Sequence, residues 1–232
     1  MNDRAFRVAG AALLVVVGIW AGARIHAGLT GGPARARILT PVGQASPPIP
    51  SDLLMESAAA HPTDIPDRLP RFSLGDLEGK PTSIDTWKGK SLIINFWATW
   101  CAPCRREIPL LEGLTGQWED RGVQVIGIAV DHRDAVASYA RRLKIAYPIL
   151  IGEQDALDVA TSLGFGSPVF PFTVFTDRRG EVVALYVGEL HESQVTLILS
   201  VVQNLNQEHV GIEEARRSIA EGLRKLEPAK PG

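Results

Sequence analysis

The stretch whose reading decides the fold is SLIINFWATWCAPCRREIP, residues 91–109. Its first eight residues form a continuous β-rich apolar run, the pattern of a strand buried on both faces. Cys101 follows on that strand and begins a helix, with Ala102 and Pro103 separating it from Cys104. Peptide N–H groups are unpaired at a helix start and the macrodipole favours negative charge there, so a thiol so placed ionises readily. The thiolate is the nucleophilic form. The i, i+3 spacing sets Cys104 against Cys101, and the pair can close into a disulfide without backbone rearrangement. Pro103 is tolerated because first-turn N–H groups lack an intrahelical partner.

The chain holds two cysteines among 232 residues, so any redox role rests on this pair. Other uses of a dithiol fit less well. A zinc knuckle needs further Cys or His at short spacing, and the five histidines (26, 61, 132, 191, 209) are scattered. Haem attachment needs a His after the second cysteine, where Arg105 stands. A purely structural disulfide closing so short a loop would constrain the unfolded chain very little. A peroxidatic cysteine would have Pro and Thr or Ser at positions 94 and 98, which are Ile94 and Ala98. A Cu(I) chaperone using the same dithiol is the alternative, since soft thiolates suit that metal. Met1 and Met55 both lie outside the domain, and His191, which follows the last strand, is the candidate further ligand. No metal site is assigned.

Outward from the cysteines the chain alternates. REIPLLEGLTGQW (106–118) spaces Ile108, Leu111, Leu114 and Trp118 as a helix. VQVIGIAV (123–130) is a second buried strand, and Asp131 begins the helix RDAVASYARRL (133–143). PILIG (148–152) and DALDVATSLG (155–164) read as another short strand and helix. FTVFTDRRGEVVALYV (172–187) is a hairpin across DRRG, and ESQVTLILSVVQNL (192–205) an amphipathic helix. Upstream, RFSL (71–74) and PTSI (81–84) flank GDLEGK as a short hairpin. The order β-α-β-α-β-β-α implies a central sheet with helices on both faces. After Gly211, Ile212, Ala215, Ile219 and Leu223 space an extra helix that stops near Pro228.

The net charge is −2 with 45% hydrophobic residues, so a core is affordable and no basic excess suggests a nucleic-acid partner. VAGAALLVVVGIWAGA (8–23) carries no charge and sits between Arg7 and Arg24, which reads as a membrane anchor. AGA at 21–23 leaves a cleavable signal as the competing reading. Residues 24–64, rich in proline, read as a tether. The expected organisation is anchor 1–23, tether 24–64, redox domain 65–205 and helical tail 206–232.

NFWATWCAPCRREIP, the FSLGDLEGK hairpin, GVQVIGIAVD, PFTVFTDRRGEVV and VGEL together resemble the TlpA/ResA-like thiol–disulfide oxidoreductases, a membrane-linked branch of the thioredoxin superfamily. The resemblance implies a thioredoxin-like three-layer α/β/α sandwich with an N-terminal β-hairpin extension, a transmembrane helix and an extra C-terminal helix. It implies that Cys101 attacks, Cys104 resolves and Glu107 shuttles the proton of Cys104. Pro171 matches a cis-proline loop facing the cysteines, where the backbone of Phe170 pairs with an extended client. Trp100 flanks and shields the site, Trp97 belongs to the core, and Phe170, Pro171, Trp100 and Pro103 are the expected substrate-binding residues. The plain alternative for Glu107 is an exposed first-turn glutamate. No cofactor is implied beyond the redox-active Cys101–Cys104 disulfide. The implied partners are client proteins with disulfides or thiols and a membrane dithiol electron donor, the protein being a tethered monomer outside the cytoplasm. The apolar Ala102–Pro103 dipeptide favours a reductant, with apocytochrome c or copper-site cysteines as clients. Phe172 replaces the small or polar residue many relatives carry after the proline.

Overall fold

A computed structural model describes residues 65–226. The expected anchor (1–23) and tether (24–64) fall outside them, and no helix among the described residues is long and apolar enough to cross a membrane.

The strands are β1 (Ser73–Asp76), β2 (Pro81–Ser83), β3 (Ser91–Trp97), β4 (Val123–Val130), β5 (Ile149–Gly152), β6 (Phe172–Thr176) and β7 (Val182–Val187). The α-helices are α1 (Ala102–Trp118), α2 (Arg133–Leu143), α3 (Gln154–Ser162), α4 (Glu192–Asn206) and α5 (Ile212–Leu226). All seven strands join one mixed sheet in the order β2-β1-β5-β4-β3-β6-β7. β3, β4 and β5 run parallel at its centre, while β6 and β7 extend one side antiparallel and the β1–β2 hairpin the other.

Every residue of β3 and β4 is buried, which is why both read as near-continuous apolar runs rather than alternating ones. Alternation sends Ile93 and Trp97 of β3 to the layer formed with α1, α2, α4 and α5. It sends Leu92, Ile94 and Phe96 to the opposite layer, where α3 contributes Ala156, Val159 and Ala160. Trp97 is fully buried, as expected of a core residue. It crosses β4 at Gly127, where an added Cβ would stand 2.9 Å from the Trp97 Nε1 and 3.1 Å from the Tyr147 ring.

Three local expectations are corrected. The first hairpin strand is Ser73–Asp76 rather than 71–74, because Asp76 Oδ1 accepts the Glu78 and Lys80 N–H groups (3.1 and 2.8 Å) and pins the turn there. The second ends at Ser83, and Ile84 starts a 3₁₀ turn. Helix α2 is capped at His132, because Asp131 turns both carboxylate oxygens elsewhere: Oδ1 to the His132 N–H and Oδ2 to Thr99. The strand and helix expected at 148–152 and 155–164 are present as β5 and α3. In the tail, α5 buries Ala215 and Ile219 in the α1 layer, and Arg216 donates to the Val182 carbonyl at 2.8 and 3.1 Å.

Candidate active site

Strand β3 delivers the chain to a three-residue turn, Ala98–Trp100, before Cys101. Two contacts hold that turn. The Cys101 N–H donates to the Ala98 carbonyl (3.2 Å), and Thr99 donates its N–H to Asp131 Oδ2 (3.1 Å) and its hydroxyl to the same oxygen. Cys101 is the N-cap of α1: its backbone is extended, and its sulfur accepts the Cys104 N–H at 3.2 Å. An N-cap group that takes a first-turn N–H is the electrostatic setting that stabilises a thiolate.

Cys101 and Cys104 form a disulfide. The two sulfurs are not equivalent, since Cys101 keeps 6% of its surface exposed and Cys104 none. Pro103 lies in the first turn, partly exposed, where it costs no hydrogen bond.

Glu107 is 1% exposed, which removes the plain reading of a solvated first-turn glutamate. Standing three residues after Cys104, it shares that residue's side of the helix. Oε1 accepts from Asn95 Nδ2 at 2.7 Å, and Oε2 accepts the Leu190 N–H at 2.9 Å. Burial penalises its ionised form and raises its pKa to about 7, against the two hydrogen bonds, which pull downward. A carboxyl poised there can take or give a proton near neutrality. Arg106 turns outward and grips Glu189 through Nε at 2.9 and 3.0 Å. Arg105 is exposed and donates to the Thr99 carbonyl at 3.0 Å.

The Phe170–Pro171 peptide bond is cis, the one cis bond among the described residues. Pro171 is buried and leads directly into β6, and the Phe170 peptide stands just outside the β6 ladder, whose register begins at Phe172. The Phe170 ring meets Trp100 edge-on at 6.1 Å, which brings the proline loop to the cysteine loop. Phe170 also lies parallel to Phe172 at 6.1 Å, and Phe172 stacks on Phe96 at 4.2 Å. The apolar residue after the proline is thus a core residue. Trp100 itself is 66% exposed, standing beside the site rather than closing over it.

Asn95 and Thr173 escaped the sequence reading. Asn95 is a polar side chain inside the apolar run LIINFW, and that interruption was the available signal. Residues 189–190 belong to the VGEL motif, but nothing local signals their contact with α1, which spans 83 residues of chain.

Comparison with known proteins agrees with this geometry. Residues 65–197, more than half of the chain, match the model of the AhpC/TSA family. A thiol-disulfide oxidoreductase ResA from Bacillus thuringiensis is 32% identical over 127 residues, covering 54% of this chain and 71% of that protein. ResA from Geobacillus thermodenitrificans gives the same figures, 32% over 127 residues, 54% and 71%. The crystal structure of a secreted thiol-disulfide isomerase from Corynebacterium glutamicum superposes with a TM-score of 0.53 at 27% identity, over 60% of this chain and 85% of that one. The chain belongs to the AhpC/TSA family and is a thiol–disulfide oxidoreductase of the ResA type, with Cys101 and Cys104 as its CxxC pair.

Proposed function

We propose that the protein is a reductase of client disulfides, working outside the cytoplasm from a membrane anchor formed by residues 1–23. The observation that carries the reading is the unequal burial of the two cysteines, Cys101 keeping 6% of its surface exposed and Cys104 none. A client disulfide can reach Cys101 and not Cys104, so attack and resolution fall to different residues. The Cys101 thiolate attacks one client sulfur, forms a mixed disulfide and expels the other as a thiolate. Glu107 takes the proton of Cys104, and the Cys104 thiolate displaces the client's second sulfur from Cys101. Two electrons have then passed to the client, which leaves as a dithiol once its sulfurs are protonated, and the Cys101–Cys104 bond has formed. A membrane dithiol donor restores the reduced pair.

Client binding falls to the surface around Phe170, Pro171, Trp100 and Pro103. The Phe170 peptide, beyond the end of the β6 ladder, offers an extended client a place to add as a strand. An exposed Trp100 braced on Phe170 supplies apolar area beside it. The resemblance to the TlpA/ResA-like proteins supports unfolded apocytochrome c and copper-site cysteines as clients.

The test is the reduction potential of the full-length chain in detergent, followed by tryptophan fluorescence in thiol buffers. A reductant is expected near about −270 mV, the range of thioredoxin. A value near about −120 mV would make it a disulfide-forming oxidant and overturn the proposal.

A further inference from the structure

Asn95 sits at the middle of the sheet, registered opposite Gly127 on one side and Thr173 on the other. It is fully buried. Its Nδ2 spends both protons, one on Glu107 Oε1 at 2.7 Å and one on Thr173 Oγ1 at 3.0 Å. Its carbonyl Oδ1 is buried with no partner among the described residues. Leaving a buried acceptor without a donor is costly, so this arrangement satisfies one end of the amide at the expense of the other.

The set of donors around Glu107 explains why. Both carboxylate oxygens face N–H groups, Asn95 Nδ2 and the Leu190 peptide. That cage suits an ionised carboxylate, which accepts only, and has no acceptor for the proton of a carboxylic acid. A half-turn of the Asn95 amide supplies one. Oδ1 would then accept from the Glu107 Oε1–H and from the Thr173 hydroxyl, which can donate as readily as it accepts. The orphaned oxygen becomes the partner of the new proton.

We propose that Asn95 is a positioning residue whose amide turns over with the proton on Glu107, so that the acid–base group of the site is hydrogen-bonded in both of its charge states. The inference rests on the assignment of Glu107 as the proton acceptor of Cys104. When Cys104 delivers its proton, the amide turns and Thr173 follows. When the proton departs, Nδ2 returns to Oε1. The other polar and titratable groups around Glu107 do not duplicate this. Leu190 offers a fixed peptide N–H. Glu189, from the same corner, raises the Glu107 pKa by its charge but is itself held by Arg106. The Tyr147 phenol feels the charge of Glu107 and is raised mainly by burial, so it stays protonated. Cys101 and Cys104 are joined to each other in the oxidised chain.

The test uses the oxidised full-length chain in detergent, with ¹⁵N-labelled asparagine and ¹³C-labelled glutamate and threonine. The Glu107 carboxyl carbon gives the midpoint of its titration. Above that midpoint the Asn95 Nδ2 protons should show a nuclear Overhauser contact with the Thr173 methyl group, and below it that contact should be lost. A contact that persists unchanged through the midpoint overturns the proposal, because the amide is then a fixed strut, and it leaves the role of Glu107 untouched. A Glu107 carbon that does not titrate between pH 5 and 9 overturns it together with that role. Asn95→Asp gives a kinetic counterpart. A second carboxyl beside Glu107 should raise the pH midpoint of mixed-disulfide resolution by about one unit or more. The rate of mixed-disulfide formation at Cys101 should be unchanged. Equal loss in both steps would mark a structural role only and overturn the proposal.

Discussion

Successive residues of α1 face two different surroundings. On the inner side Cys104, Glu107, Ile108 and Leu111 are buried, and on the outer side Arg105, Arg106 and Pro109 are exposed. Each side holds a carboxylate tied to the same corner, residues 189–190. The inner one, Glu107, accepts the Leu190 N–H, and its pKa is raised to about 7 by burial. The outer one, Glu189, is held by the Arg106 guanidinium, whose hydrogen bonds and charge lower its pKa. Two glutamates joined to one helix turn therefore have opposite chemistry. Burial on one side and a guanidinium partner on the other, rather than residue type, decide which of them can exchange a proton near neutral pH.

The largest test of the inner side is Cys104→Ser. Without the resolving sulfur, client turnover should fall by about three orders of magnitude or more, while a mixed disulfide on Cys101 accumulates on non-reducing gels. Turnover that survived would mean that Cys104 is not the resolving group.

Glu107→Gln should come next. Removing the proton acceptor should slow resolution by roughly a hundredfold at pH 8. In the native chain the rate should fall as pH drops below about 7, because a protonated Glu107 cannot take the Cys104 proton. In the variant that limb should be flat. A native limb preserved in Glu107→Gln would assign the titration to another group.

The same carboxyl should register in stability. The Glu107 pKa is raised from 4.5 to about 7 in the folded chain, so between those values the folded state holds a proton that the unfolded state has lost. Its contribution is therefore greatest at acid pH and is lost as pH rises through about 7, by on the order of 3 kcal/mol. Urea unfolding of the oxidised native chain at pH 4.5 and pH 8, compared with Glu107→Gln, should show that difference in slope. Its absence would place Glu107 in contact with solvent.

The smallest effect belongs to the outer side. Arg106→Ala removes a solvent-screened ion pair and should leave urea stability and the pH midpoint of activity nearly where they were. A clear shift of that midpoint would mean that the two sides of α1 are coupled through residues 189–190.

Much of this was legible in the sequence. Near-continuous apolar runs identified β3 and β4 because a strand buried on both faces has no solvated side to show. Helical spacing identified α1 and α5, the alternation of strands and helices identified α2, α3 and α4, and the cysteines identified the reaction. The register of the first hairpin and the start of α2 were misread, because Asp76 and Asp131 choose among several nearby N–H groups, and the choice depends on folded neighbours. Asp131 in particular is drawn to Thr99, which is 32 residues away.

The sequence by itself determined the α/β class, the dithiol and its place at a helix start, because these follow from periodicity and from residues within one turn of each other. Tertiary structure alone decided which sulfur meets solvent, that Glu107 is buried, and that Asn95, Thr173 and Leu190 gather around it. Burial and hydrogen bonding at Glu107 arise where β3, β6, α1 and the 189–190 corner meet, and no local pattern of residues records such a meeting. A pKa follows from that enclosure, so the acid–base chemistry of the site emerges only with the fold.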